Sequence, residues 1–173
     1  MKKNKQNFIN PSLYLITEKD IPKALECLKD AFKNDPLWLE VFKNSPDPDK
    51  SRSAFFMCPL LYGIKYGKVY ATSDKLEGIA IWLSDKYANM TIWRMFRCGA
   101  LPYGMKMDKQ AMKKLAIVSK QIGHDRKKLM RGKSYIYLMI IGISSSLHGK
   151  GHYCCWRSAG RCIERTGWSS HRI

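Results

Sequence analysis

The chain has no apolar run that approaches the length of a membrane span. Its longest candidates, residues 78–83 and 136–143, are strand-sized. The N-terminus is basic, but Pro11 and the polar residues around Phe8, Ile9 and Leu13 break up any secretory leader. The expected location is therefore cytoplasmic, with no membrane partner. There are six cysteines and no Cys-x-x-Cys pair, and no secretion signal argues for disulfides. Cys27, Cys58 and Cys98 sit singly in apolar helical contexts and are expected as buried free thiols. Internal repeats and low-complexity linkers are also missing.

Acidic residues are scarce: 14 Asp and Glu face 31 Lys and Arg, a formal net charge of +17. Such a balance raises nucleic acid as a partner. The densest basic cluster is Arg126, Lys127, Lys128, Arg131 and Lys133, with Lys113 and Lys114 upstream. It falls in a helical pattern, where a solvated face is the expected role, so nucleic acid is not the expected partner. A basic surface equally suits an anionic small ligand such as a nucleotide-bearing cofactor.

The chain length fits one domain, and 45% hydrophobic residues suffice for a core. Residues 14–16 read as an opening strand. Thr17 caps a helix whose apolar residues Ile21, Ala24, Leu25, Leu28, Ala31 and Phe32 lie on one face. The helix ends at Asn34, Asp35 and Pro36. A short apolar turn or helix comes next at 37–42, then a loop at 45–50. Residues 53–66 read as a second helix with a kink allowed at Pro59. Residues 67–72 and 77–83 form an antiparallel hairpin, the latter strand apolar enough to be central. From 91 to 130 apolar residues recur at three and four, and Pro102 divides the stretch into two helices. A strong strand lies at 135–143. The order predicts a mixed α/β domain layered around one sheet.

The chemistry-bearing stretch is this last strand together with the loop after it. Ile141, Gly142 and Ile143 lead through Ser144, Ser145 and Ser146 to His148, Gly149, Lys150 and Gly151. A strand running into a glycine-bearing loop is how a chain presents backbone amides to a phosphate. Gly149 and Gly151 permit positive φ and close approach, and Lys150 adds positive charge. By itself Gly-x-Gly after a strand is more often a plain turn.

These residues, with the order of elements over about 15–151, resemble the GCN5-related N-acetyltransferases. The family's loop reads Gln or Arg, two residues of any kind, Gly, any residue, then Gly or Ala. Its first position falls on His148, its first glycine on Gly151, and its last position on Tyr153, where a small residue is expected. The resemblance implies that Ile141, Gly142 and Ile143 pair their backbone with the pantetheine arm of acetyl-CoA. It also implies that His148, Gly149, Lys150 and Gly151 hold the pyrophosphate. The implied activity is acetyl transfer from acetyl-CoA to an amine acceptor, with no metal. Catalytic side chains are not assigned. Glu77 could serve as a base through water, Tyr135 and Tyr137 could wall the substrate, and Trp93, Arg94 and Arg97 could line the acceptor pocket. Each has a plainer structural role available.

After Gly151 the pattern breaks. Residues 152–173 hold three Cys, two Trp and four Arg and show no helical stripe. The expected organisation is an acetyltransferase-like part at 1–151 and an aberrant tail at 152–173, the C-terminal half of the fold being missing or replaced. A shift of reading frame near codon 151 or 152 is the expected cause, and a native divergent tail is the alternative. His152, Cys154, Cys155, Cys162 and His171 are zinc-ligand types without the usual spacing, so no metal is expected. A non-catalytic basic binding module or a degenerate truncated product is the other functional reading. With it comes an unpaired edge at 135–143, so aggregation or a homo-oligomer is also expected.

Overall fold

The computed structural model describes residues 13–148. It is a mixed α/β fold with one four-stranded antiparallel sheet, β1 (Tyr14–Leu15), β2 (Gly67–Ala71), β3 (Gly78–Ser84) and β4 (Ile136–Ile143), in the order β1-β2-β3-β4. The predicted hairpin is β2–β3, and β3 is internal, flanked by β2 and β4. Among the described residues no strand lies outside β4.

Strand alternation sorts the sheet into two faces. Val69 and Ala71 of β2 stand opposite Ile81 and Ile79 of β3, and all four are buried with one helical layer. That layer is α1 (Ile21–Ala31) and α3 (Pro48–Tyr66), which supply Ala24, Cys27, Leu28, Phe56 and Leu60 to the same cluster. Tyr70, Ala80, Trp82, Leu138, Ile141 and Ile143 form the other face. Between Ile81 and Trp82 the register against β4 slips by one, leaving Met139 as the extra residue of a β-bulge. Consistent with that, Met139 and Ile140 both pack on the helix side, whereas regular alternation would separate them.

The predicted first helix forms with a stronger start than a lone Thr cap. A 3-10 turn at Glu18–Asp20 precedes α1, and the Asp20 carboxylate accepts from both the Thr17 N–H and its hydroxyl at 2.9 Å. The predicted short element is helix α2 (Pro36–Phe42), capped by Asp35, which accepts from Leu37 N–H at 2.9 Å. Residues 45–50 are not all loop. Helix α3 begins at Pro48, a first-turn position where proline's missing N–H costs nothing, and Asp47 accepts from Lys50 N–H. It continues through Pro59 and is buried on several sides, so no amphipathic stripe marks it. Phe32, Trp38, Phe42, Phe55 and Phe56 interlock where α1, α2 and α3 meet, with Trp38 and Phe55 centroids 4.4 Å apart.

Residues 91–130 differ from expectation. They form three helices, α4 (Ile92–Arg97), α5 (Leu101–Gly104) and α6 (Lys109–Leu129). Gly99, at φ +73°, breaks the chain after α4, and Pro102 sits in the first turn of α5 as a starter. The apolar spacing here does not make a continuous core. Ile92, Trp93 and Phe96 are 76%, 66% and 60% exposed, and Ala111 is the buried residue of α6. No helix among the described residues is long and apolar enough to cross a membrane.

Cys27 and Cys58 are buried as expected, and burial pushes their thiols up to about 12 and about 11. Cys98 is half-buried, and burial raises its thiol too. Alkylation with iodoacetamide at pH 8, mapped by peptide mass, should therefore label Cys98 before Cys27 and Cys58. Equal rates for the three in folded protein would contradict this packing.

Candidate functional site

The end of β4 is where the chain assembles its densest polar contacts. Gly142 points at α1. A Cβ there would lie 3.1 Å from each of Ala31 Cβ, Leu28 Cδ2 and Phe32 Cε2. Any larger residue would force these side chains back by a few tenths of an ångström, because the helix packs closely on the strand backbone. That close approach carries the last turn of α1 to the turn after β4, a 3-10 turn at Ser145–Leu147.

Asp30, in that last turn, grips it. Its carboxylate accepts from Ser144 Oγ at 2.8 Å, Ser145 N–H at 2.7 Å and Ser145 Oγ at 2.8 Å. Lys33 Nζ donates to the same carboxylate at 2.9 Å and to Ser145 Oγ at 3.0 Å. A carboxylate at a helix C-terminus is disfavoured by the helix dipole, so Asp30 is held by its partners, not by its helix. Burial pushes its carboxyl up. The hydrogen bonds from Lys33, Ser145 and Ser144 outweigh that and hold it well below the usual carboxylate range.

The backbone amides of the turn are already engaged. Ser144 N–H donates to Glu77 O at 2.8 Å, Leu147 N–H to Ser144 O at 2.9 Å and His148 N–H to Ser145 O at 3.3 Å. With Ser145 N–H on Asp30, the first part of the predicted phosphate loop is bonded internally. Gly149, Lys150 and Gly151, and the tail with its five zinc-ligand types, lie outside the described residues. Among the described residues no group of three His, Cys, Asp or Glu could hold a metal ion.

The edge of β4 is different. Ser144 and Glu77 form a hydrogen-bonded pair, so alternation makes Gly142 with Ile79 bonded, and Ile143 with Gly78 and Ile141 with Ala80 non-bonded. The backbone groups of Ile141 and Ile143 therefore point away from β3, to the outer edge. Ile143 O is met there by His148 Nε2 at 2.9 Å, an arrangement in which Nε2 carries the proton. The outward groups at this edge are thus not equivalent, because the Ile143 carbonyl is covered by a side chain of the same chain.

Other predicted residues divide by position. Glu77 stands beside the site, half-buried, its carbonyl on Ser144 and its carboxylate accepting from Ser73 Oγ at 3.4 Å. Tyr137, near the start of β4, and Tyr135, just before the strand, stand at the opposite end, about 20 Å or more from Ile143 at ~3.3 Å per residue. There Tyr135 O accepts from Asp85 N–H, and the Tyr137 ring lies under Arg126 at 4.4 Å. Arg94 is committed to Lys86 O, Asn89 O and the Tyr87 ring, while Trp93 stacks on Phe96. Asp30, Lys33 and the Met139 bulge escaped the sequence reading. The serine partners of Asp30 are 114 and 115 residues away, and no local pattern announces them.

No protein-family model matches the chain, and no curated protein matches it.

Asp30 gives a pH signature. Its folded carboxyl is lowered, so its contribution to stability is present above its unfolded value of about 3.9 and is lost as pH falls below that. Asp30→Asn should cost about 1 kcal/mol at pH 7, a charge-assisted bond discounted for partial exposure. Urea unfolding at pH 7 and pH 3 should show the gap between variant and parent narrowing at the lower pH. A pH-independent gap would mean the carboxylate charge is irrelevant. Separately, Gly142→Val should destabilise by about 1–3 kcal/mol through overpacking against α1, read from the urea midpoint.

Proposed function

We propose that this chain derives from a GCN5-related N-acetyltransferase and has that family's fold. The reaction is acetyl transfer from acetyl-CoA to an amine acceptor. The amine nitrogen attacks the thioester carbonyl carbon, the C–S bond breaks, and the amine's proton ends on the departing thiolate. The observation that carries the reading is the outer edge of β4. Ile141 and Ile143 turn their backbone groups outward there, just before a turn that α1 holds rigid through Asp30. An extended, amide-bearing arm such as pantetheine pairs with a strand edge as an added strand would. An outward amide near the thioester would polarise its carbonyl. Positioning carries the rate in this scheme, and Glu77, whose backbone carbonyl accepts from Ser144 N–H, is the candidate to relay a proton through water.

The second reading, a non-catalytic basic module or degenerate product, is favoured by the internal bonding of the turn. The amides of Ser144, Ser145, Leu147 and His148 are engaged, and Asp30 sits where an external anion would. In that case the net charge of +17 carries the binding, to polyanions.

Thermal unfolding of the full chain separates the two. Acetyl-CoA at a hundred times its dissociation constant stabilises a native state by about 2.7 kcal/mol. The expected outcome is a rise in Tm with acetyl-CoA. Ile141→Pro, which deletes the outward N–H at an edge position, should abolish the rise while keeping a cooperative transition. No shift with acetyl-CoA, together with binding to duplex DNA that weakens steeply with salt, would replace the first reading by the second.

A further inference from the structure

Eight of the eleven exposed large apolar residues among the described ones fall between Ile92 and Leu129. Three of them share α4. Helical spacing puts Ile92, Trp93 and Phe96 on one arc, with Arg97 at its margin. The other side of α4 is the one that packs. There Arg94 donates to Lys86 O and Asn89 O, and Met95 lies against Gly104. Trp93 and Phe96 have no ring neighbour but each other among the described residues, their centroids 5.7 Å apart. Isolated apolar residues at a surface need no explanation, but a cluster with two large aromatic rings marks a contact.

The charge of the same segment points one way. Residues 91–130 carry ten Lys and Arg against two carboxylates, Asp108 and Asp125. Both carboxylates are engaged: Asp108 accepts from Gln110 N–H at 2.8 Å at the start of α6, and Asp125 accepts from Gln121 Nε2 at 3.0 Å. Asn89 ties the basic end of α6 beside α4, taking Arg94 on its carbonyl and Arg126 on its side-chain oxygen. Lys127 and Lys128 follow Arg126. Both are exposed, as is Arg97, and none of the three makes an ion pair among the described residues. Leu129, beside them, is 73% exposed.

We infer that α4 and the basic end of α6 dock the protein on the surface of an anionic lipid bilayer. Ile92, Trp93 and Phe96 enter the headgroup layer, and Arg97, Lys127 and Lys128 lie at the lipid phosphates. The boundary between headgroups and acyl chains takes up aliphatic and aromatic side chains alike. Tryptophan suits that depth, since its ring is apolar and its N–H can still donate. The negative surface potential of such a bilayer attracts the unpaired cations. Nucleic acid would engage the cations but fits the rest less well. It gives Ile92 and Leu129 no apolar cover, and the facing sides of the Trp93 and Phe96 rings are closed on each other. Surface docking needs no spanning segment, so it departs from the expectation of no membrane partner, which rested on the lack of a long apolar run. It uses neither the turn after β4 nor its outer edge, and so does not depend on the acetyl-transfer reading.

The test is sedimentation of the full chain with sucrose-loaded vesicles of about three parts phosphatidylcholine to one part phosphatidylglycerol, beside vesicles of phosphatidylcholine alone. The expected result is binding to the anionic vesicles that salt weakens, about tenfold or more tighter than to the neutral ones. Lys127→Glu combined with Lys128→Glu should weaken it by about twenty-five-fold or more, at about fivefold per cation. Trp93→Ser combined with Phe96→Ser should weaken it by roughly tenfold or more and leave any binding of duplex DNA unchanged. All four positions are exposed, and far-UV circular dichroism checks the fold of each variant. Lipid with brominated acyl chains should quench tryptophan fluorescence in the parent, and Trp93→Phe should lose that quenching. No sedimentation with anionic vesicles, equal binding to neutral ones, undiminished binding by either double variant, or quenching that Trp93→Phe leaves unchanged would overturn the inference. Binding of duplex DNA without binding of vesicles would overturn it in favour of a nucleic-acid surface.

Discussion

The Asp30 carboxylate joins two parts of the chain that are more than a hundred residues apart, and the geometry at the end of β4 depends on it. It collects two serine hydroxyls, one backbone N–H and a lysine ammonium. Each of these groups would otherwise have to find water or a ligand. Because the carboxylate takes them, the turn after β4 is fixed before anything binds. Beside the tie α1 lies close on the sheet, so that a side chain larger than that of Gly142 would crowd Leu28, Ala31 and Phe32. Helix position, strand composition and turn conformation form one constraint.

That constraint bears on the chemistry in two opposing ways. A rigid turn suits a site whose work is positioning, since a preorganised amide needs no rearrangement as charge develops on a carbonyl oxygen. Yet an internal carboxylate among turn donors competes with any external anion for the same place. The outer edge of β4 does not share the conflict, because the Ile141 backbone groups and the Ile143 N–H face away from β3 and are not among the donors that Asp30 takes. The edge is therefore the stronger half of the proposed cofactor path, and the turn acts as its brace.

The order of elements was legible because it rests on local signals. Strand 78–84 is a continuous apolar run beside a shorter strand 67–71, proline and aspartate punctuate the helices, and Gly142 stands out within an otherwise large apolar strand. What escaped was long-range or many-sided. Asp30 looks like any polar residue near the end of an amphipathic helix. The start of α3 hid inside a proline-rich stretch that reads as loop. The apolar periodicity of residues 91–130 did find helices, but periodicity reports which residues share a stripe and not whether anything covers it, so Trp93 and Phe96 lie open.

Gly142 has a further consequence, for folding and not for chemistry. A strand as apolar as β4 could pair with β3 in several alignments at similar cost, because isoleucine opposite isoleucine is much the same one step along. Only one alignment brings a hydrogen atom under α1. A slip by one residue would put the Ile141 or Ile143 side chain against Leu28, Ala31 and Phe32 and crowd the helix off the sheet. The glycine thus favours the observed register. Docking of α1 proofreads the pairing of a strand whose own sequence does not.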